Sequence, residues 1–181
     1  MAPVIWYVGL SGSGKTTLAT KTKEYLEKNP DVYPEVSCWE IIDGDVVRAF
    51  LDPEIGYDFQ ERRKSVCIMG LLAYQLSKNN IGVVVANISP FHDLREKFRK
   101  EIPGYVEIFC QCGISTCISR DPKGHYKAQY KKGVKNYIGL DIPFQTPEDP
   151  HLILNTEVNS IDQCMMTVTT FFKTENRVVR K

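Results

Sequence analysis

The stretch "GLSGSGKTTLA" (9–19) carries the most specific chemistry in the chain, because Gly9 to Thr16 fit G-x-x-x-x-G-K-[ST] in full. Glycines at 9, 12 and 14 allow successive backbone N–H groups to turn inward as an anion-binding nest. A helix starting just after Gly14 would add its positive end. Ser11, Gly12, Ser13 and Thr17 complete the cradle, Lys15 can reach a nucleotide's terminal phosphates, and the Thr16 hydroxyl can ligate Mg²⁺. The stretch predicts a site for ATP phosphates and Mg²⁺.

A second constellation follows in "DGDVVR" (43–48), where Asp43 and Asp45 stand at the end of a strand-like run. In a parallel sheet that end faces the ligand crevice. One carboxylate could hold Mg²⁺ through water, while the other takes a proton from an acceptor hydroxyl. A structural reading competes: either aspartate could cap a helix.

These residues need a scaffold. Short apolar runs at 3–9, 36–43, 81–89, 105–112 and 151–156 predict strands, and the first is apolar enough to be buried on both faces. Helical periodicity appears at 15–29, 59–80, 91–102, 115–120 and 160–173. Strands separated by helices imply parallel pairing through right-handed crossovers. The expected fold is α/β with three layers, a parallel sheet of about five strands and helices on both faces. Residues from about 120 to 150 resist assignment and carry Lys123, Lys127, Lys131, Lys132 and Lys135 among glycines and prolines. A long irregular stretch inside a compact domain is commonly functional, and this one reads as a lysine-rich lid.

With 181 residues, 43% of them hydrophobic, the chain suits one well-buried core. We expect a single domain over 1–173 and a solvated basic tail over 174–181. A net charge of +1 offers no broad positive field, so a nucleic-acid partner is not expected. No run is long and apolar enough for a membrane span. Six scattered cysteines without a preceding secretory segment suit buried free thiols in a reducing cytoplasm. "CQC" (110–112) places two thiols on one face of a strand, but a second pair for zinc is lacking.

Phosphate binding leaves the reaction open. A switch GTPase would need a guanine-reading N-K-x-D element, which is absent. A lid that excludes water would direct phosphate to an acceptor hydroxyl instead, which points to a small-molecule kinase.

The chain resembles the adenylylsulfate kinase family over residues 4 to about 156. The resemblance rests on "GLSGSGKTT" (9–17), "DGDVVR" (43–48), "GYDFQER" (56–62), "NISPFHDLR" (87–95), "RDPKGHYK" (120–127), "KNYIGLDIPF" (135–144) and "TPEDPHLILNT" (146–156). It implies a P-loop NTPase fold and transfer of the ATP γ-phosphate to the ribose 3′-hydroxyl of adenosine 5′-phosphosulfate. It makes Asp45 the base and Asp43 the carboxylate near the metal. Arg48 and Arg62 would grip the acceptor's phosphosulfate, and Tyr57 and Tyr137 would clamp its base. Ser65, Ile88 and Ser89 would line the acceptor site, with Ser89 beside the anion. Arg120 would approach the donor phosphates and Lys135 the acceptor. A homodimer is also implied.

The acceptor side departs from the family pattern. An asparagine is replaced by Ser65, two arginines by Cys67 and Ile68, a threonine by Ile138 and an aspartate by Ile142; His92 stands where arginine is common. A related kinase with similar motifs acts on cytidine diphosphoramidate in capsule-sugar modification, so that acceptor stands as an alternative. A non-catalytic nucleotide sensor is an alternative of another class.

Overall fold

The computed structural model describes residues 1–51, 58–122, 124, 126–127 and 136–179, with side chains described up to Thr174. Tyr57 and Lys135, along with Lys123, Lys131 and Lys132 of the expected lid, lie outside the described residues.

Five strands form one parallel sheet in the order β2-β3-β1-β4-β5: β1 (Val4–Val8), β2 (Cys38–Asp43), β3 (Ile81–Ala86), β4 (Tyr105–Gln111) and β5 (Leu152–Asn155). Among the described residues the helices are α1 (Lys15–Lys28), α2 (Gly44–Phe50), α3 (Phe59–Lys78), α4 (His92–Glu101), α5 (Ile114–Arg120) and α6 (Ile161–Val179). Central β1 is buried along its whole length, as its unbroken apolar sequence requires. Its side chains alternate between two cores. Val4, Trp6 and Val8 pack with Met69 and Phe98 from α3 and α4, while Ile5 and Tyr7 pack with Leu18, Val168 and Phe172 from α1 and α6. The order reverses at β1, which pairs with β3 on one side and β4 on the other; the crevice beyond their carboxyl ends is where such sheets bind ligands.

The structure differs from the sequence reading in three places. Residues 44–50 form a helix whose one fully buried residue is Gly44, so no apolar stripe marks it in the sequence, and Asp43 caps it by accepting from the Asp45 N–H at 2.8 Å. The last helix continues to Val179 rather than ending near 173. Cys38 and Cys67 are exposed, not buried; Cys110, Cys117 and Cys164 are buried. Among the described residues no cysteine cluster could hold a metal, and no helix is long and apolar enough to cross a membrane.

Candidate active site

One cavity of about 960 Å³ opens at the carboxyl end of the sheet, near the upper limit for ligand pockets, about 1,000 Å³. Ser11 to Thr17 line one end of it. Asp43 and Asp45 stand along its wall, and Arg48, Arg62, Ser65, Ile88 and Tyr137 line the remainder, with Arg120 also present. Of the residues singled out from sequence, these are brought together. Gly9 and Ser89 are not among the lining residues.

The phosphate loop joins β1 directly to α1. Gly12 has φ +79°, and a Cβ there would come within 2.9 Å of the Cys117 carbonyl oxygen, so both backbone shape and space demand glycine. Gly9 lies beneath the loop, packed against the Cys110 backbone. Lys15 is buried and donates from Nζ to the Leu10 carbonyl at 2.7 Å, which folds its ammonium over the loop. Thr16 Oγ1 donates to Asp43 Oδ2 at 2.9 Å. Asp43 thus caps a helix with one carboxylate oxygen and accepts from the loop threonine with the other. A hydroxyl and a carboxylate side by side are hard oxygen donors of the kind Mg²⁺ takes.

Arg120 ends α5 and donates from Nη2 to the Thr156 carbonyl at 2.8 Å and from Nη1 to Cys112 Sγ at 3.6 Å. The start of α5 is tied to the β5–α6 loop by Glu157, whose carboxylate accepts from the Thr116 hydroxyl and the Gly113 N–H and is held below its ordinary pKa by them. Thr156, Asn159 and Ser160 of that loop and Ile161 at the start of α6 line the cavity near the phosphate loop.

The opposite wall is assembled from distant segments. Arg62 on α3 donates from Nη2 to the Asn136 carbonyl at 2.9 Å, next to Tyr137. Tyr137 is half-buried, and burial pushes its hydroxyl up to about 12. Ser89 turns inward at φ +45°, with its hydroxyl accepting from Trp6 Nε1 at 2.8 Å and donating to Asn87 Oδ1 at 3.0 Å. The motif suggested a serine facing the acceptor; the fold places its side chain behind the wall, 1% exposed.

Several residues of the site escaped the sequence reading. Asn87 lines the cavity and holds the turn by accepting from Ser89 N at 2.8 Å. Behind it, buried Arg95 donates to the Ser89 carbonyl and to the Gln145 carbonyl, each at 2.8 Å. Its Nε lies 3.8 Å from Glu107, which also accepts from the Tyr105 hydroxyl at 3.0 Å. Burial lowers the Arg95 pKa and raises that of Glu107, as expected for charges taken from water. A glutamate inside the apolar run "YVEIFC" was the available signal, since a charge within a buried strand requires a partner.

An anion-receptive loop, two carboxylates and a cationic, aromatic wall facing one cavity can bring two anionic ligands together and manage a proton between them. The comparisons with known proteins agree with this arrangement. The family model for adenylylsulphate kinase matches residues 1–155. An adenylyl-sulfate kinase of Geotalea daltonii is 34% identical over 94% of this chain and 82% of its own length. A probable bifunctional SAT/APS kinase of Sorangium cellulosum is 35% identical over 84% of this chain, which spans only 25% of that longer protein. The structure of the Mycobacterium tuberculosis APS kinase CysC in complex with AMPPNP and APS superposes with a TM-score of 0.82 at 28% identity, covering 95% of this chain and 98% of that one. With most of its length matched by the family model, the chain belongs to the adenylylsulfate kinase family.

Proposed function

We propose that the protein transfers the γ-phosphate of ATP to the ribose 3′-hydroxyl of adenosine 5′-phosphosulfate. The observation that carries this reading is the single cavity in which the phosphate loop, the Asp43–Asp45 pair and the Arg48–Arg62–Tyr137 wall meet, in a chain of this family.

The loop N–H groups and Lys15 bind the donor phosphates, and Arg120 stabilises charge that spreads over the transferring group. Thr16 and Asp43 are the residues that would hold Mg²⁺, which when bound offsets negative charge on the phosphates. Asp45 accepts the proton of the acceptor hydroxyl and aligns it with the phosphorus. Arg48 and Arg62 hold the acceptor's anhydride oxygens, for which guanidinium forks are well shaped. Tyr137 offers a face for the acceptor base; stacking of this kind contributes about 1–3 kcal/mol. Tyr57 and Lys135 belong to the same proposal by motif alone. Residues 1–173 act as one domain, with the segment near 120–150 as its lid.

The test is an acceptor-dependent ADP-release assay comparing adenosine 5′-phosphosulfate, cytidine diphosphoramidate and plain nucleoside 5′-phosphates by kcat/KM. Adenosine 5′-phosphosulfate should lead. If cytidine diphosphoramidate exceeded it a hundredfold, about 2.7 kcal/mol in transition-state binding, the acceptor would be misassigned. No ADP release with any acceptor would favour a nucleotide sensor.

A further inference from the structure

Tyr126 sits behind the cavity, 1% exposed, and is not among the residues that line it. Its hydroxyl donates to the Ser11 carbonyl at 3.1 Å. Its ring packs against Tyr137, with centroids 4.9 Å apart and planes tilted by 49°. Ser11 also lies near enough to the Tyr137 hydroxyl to influence its titration. These three residues form a closed unit in which the phosphate loop and the acceptor-side ring share one buried partner.

We infer that Tyr126 is a positioning residue that couples occupancy of the phosphate loop to the placement of Tyr137, a role that rests on the proposed kinase function for its use in catalysis. The Ser11 carbonyl and the Gly12 N–H belong to one peptide plane and point in opposite directions. A donor on the carbonyl side therefore fixes the orientation of the Gly12 N–H and polarises it as a donor to an anion. Phosphate oxygens drawing on that N–H strengthen the Tyr126 bond at the other end of the same peptide. A tightened Tyr126 presents a firmer face to Tyr137.

Tyr126 is itself held from the end of α5. The Asp121 carboxylate accepts from the Tyr126 N–H at 3.2 Å and the Lys127 N–H at 2.9 Å, and the Asp121 N–H donates to the Cys117 carbonyl at 3.0 Å. Arg120 precedes this cap in sequence, and Tyr126 links the cap to the phosphate loop through its hydroxyl and to Tyr137 through its ring. On the far side, the N–H groups of Leu140, Asp141 and Ile142 all donate to the Tyr137 carbonyl at 2.9–3.2 Å, a compact turn whose opening reports on Tyr137.

The experiment follows hydrogen exchange at residues 139–142 in the full-length protein, with and without saturating AMPPNP and with no acceptor present. In the wild type AMPPNP should slow exchange there by about 5-fold or more, within the usual range of coupling between sites. In Tyr126→Phe, which keeps the ring and removes the hydroxyl, the slowing should fall below about twofold while AMPPNP still protects the phosphate loop. Tyr126→Leu, which removes the ring as well, should abolish it. A Tyr126→Phe protein that retains the wild-type response would overturn the inference. So would a wild type with no response, a measurement that depends on no variant folding. Because the probe is the nucleotide alone, an unproductive ADP-release assay would count against the proposed acceptor and leave this coupling standing.

Discussion

The two ends of the cavity are built in different ways. The phosphate end is local: β1, the six loop residues 9–14 and α1 follow one another without interruption, and the cradle is mostly backbone. The acceptor end is gathered from α2, α3, the turn at 87–90 and the segment at 136–138, and it is held by side chains reaching to backbone carbonyls. A cradle of backbone N–H groups tolerates change in its neighbours, whereas a wall of side-chain clamps shifts when any clamp is altered. The family departures at Ser65 and Ile138 fall on the second kind of surface. Substitutions away from the Tyr126 link should therefore separate the two ends, changing acceptor affinity more than donor affinity.

The largest expected effect lies where the ends meet. Asp45→Asn should lower kcat by about 10²–10⁴ and leave the Kd for AMPPNP within twofold, because the amide keeps the shape and loses the proton acceptor. Single-turnover kinetics with a binding titration would check both halves. Full retained activity would remove Asp45 as the base.

Arg95→Met tests the clamp behind the acceptor wall. It strips the Ser89 and Gln145 carbonyls of a donor and leaves Glu107 buried with, among the described residues, Arg99 at 3.7 Å as its remaining ion-pair partner. Removing one member of a buried pair costs about 3–5 kcal/mol, and Arg99 should hold the loss near 3. Urea unfolding measures it. In the folded fraction the acceptor KM should rise while the ATP KM stays within twofold; equal changes in both would contradict the division between the ends.

Gly44 lies at the seam, between the two aspartates and against Asn87. A Cβ there would fall 2.2 Å from Asn87 Nδ2, and Asn87 cannot simply yield because its carbonyl oxygen holds both Ser89 N and Oγ. Gly44→Ala should cost about 1–3 kcal/mol of stability, as overpacking does, and raise the acceptor KM more than the ATP KM. Thermal unfolding and steady-state kinetics would show it.

The same division explains what could be read from sequence. Gly9 to Thr16 form a contiguous motif, and the apolar runs of the strands and periodicity of the longer helices are local signals, so their elements appear within a few residues of expectation. Strand order is not local, and neither is the wall. Nothing in "NISPF" indicates that Trp6 would draw the Ser89 hydroxyl inward, because that bond spans 83 residues of chain. Asn87 and Tyr126 were missed for the same reason: their partners, Ser89 in a left-handed turn and Ser11 in the phosphate loop, are defined only by the fold. Asp43 was legible as a helix cap, though not in its bond with Thr16.

The smallest expected effect concerns the outermost brace of the acceptor end. Arg63 of α3 donates to both carboxylate oxygens of Asp93 at the start of α4, and its guanidinium lies over the rings of Phe59 and Phe91, 5.7 and 5.0 Å from their centroids. The hydrogen bond from Arg63 is the main reason the Asp93 carboxyl is held below its ordinary pKa. A lowered folded-state pKa gives stability that is present above the unfolded value, about 3.9, and is lost as pH falls through the folded value. The Asp93 side chain is 61% exposed, so solvent screening limits the pair to about 0.2–1 kcal/mol. Asp93→Asn should therefore lower stability by that amount at pH 7, and the difference from wild type should close as pH falls through the depressed pKa. Paired urea titrations along the pH series would measure the gap. A deficit larger than that of Arg95→Met, about 3 kcal/mol, would mean that this surface pair, and not Arg95 within the core, is the principal brace of the acceptor end.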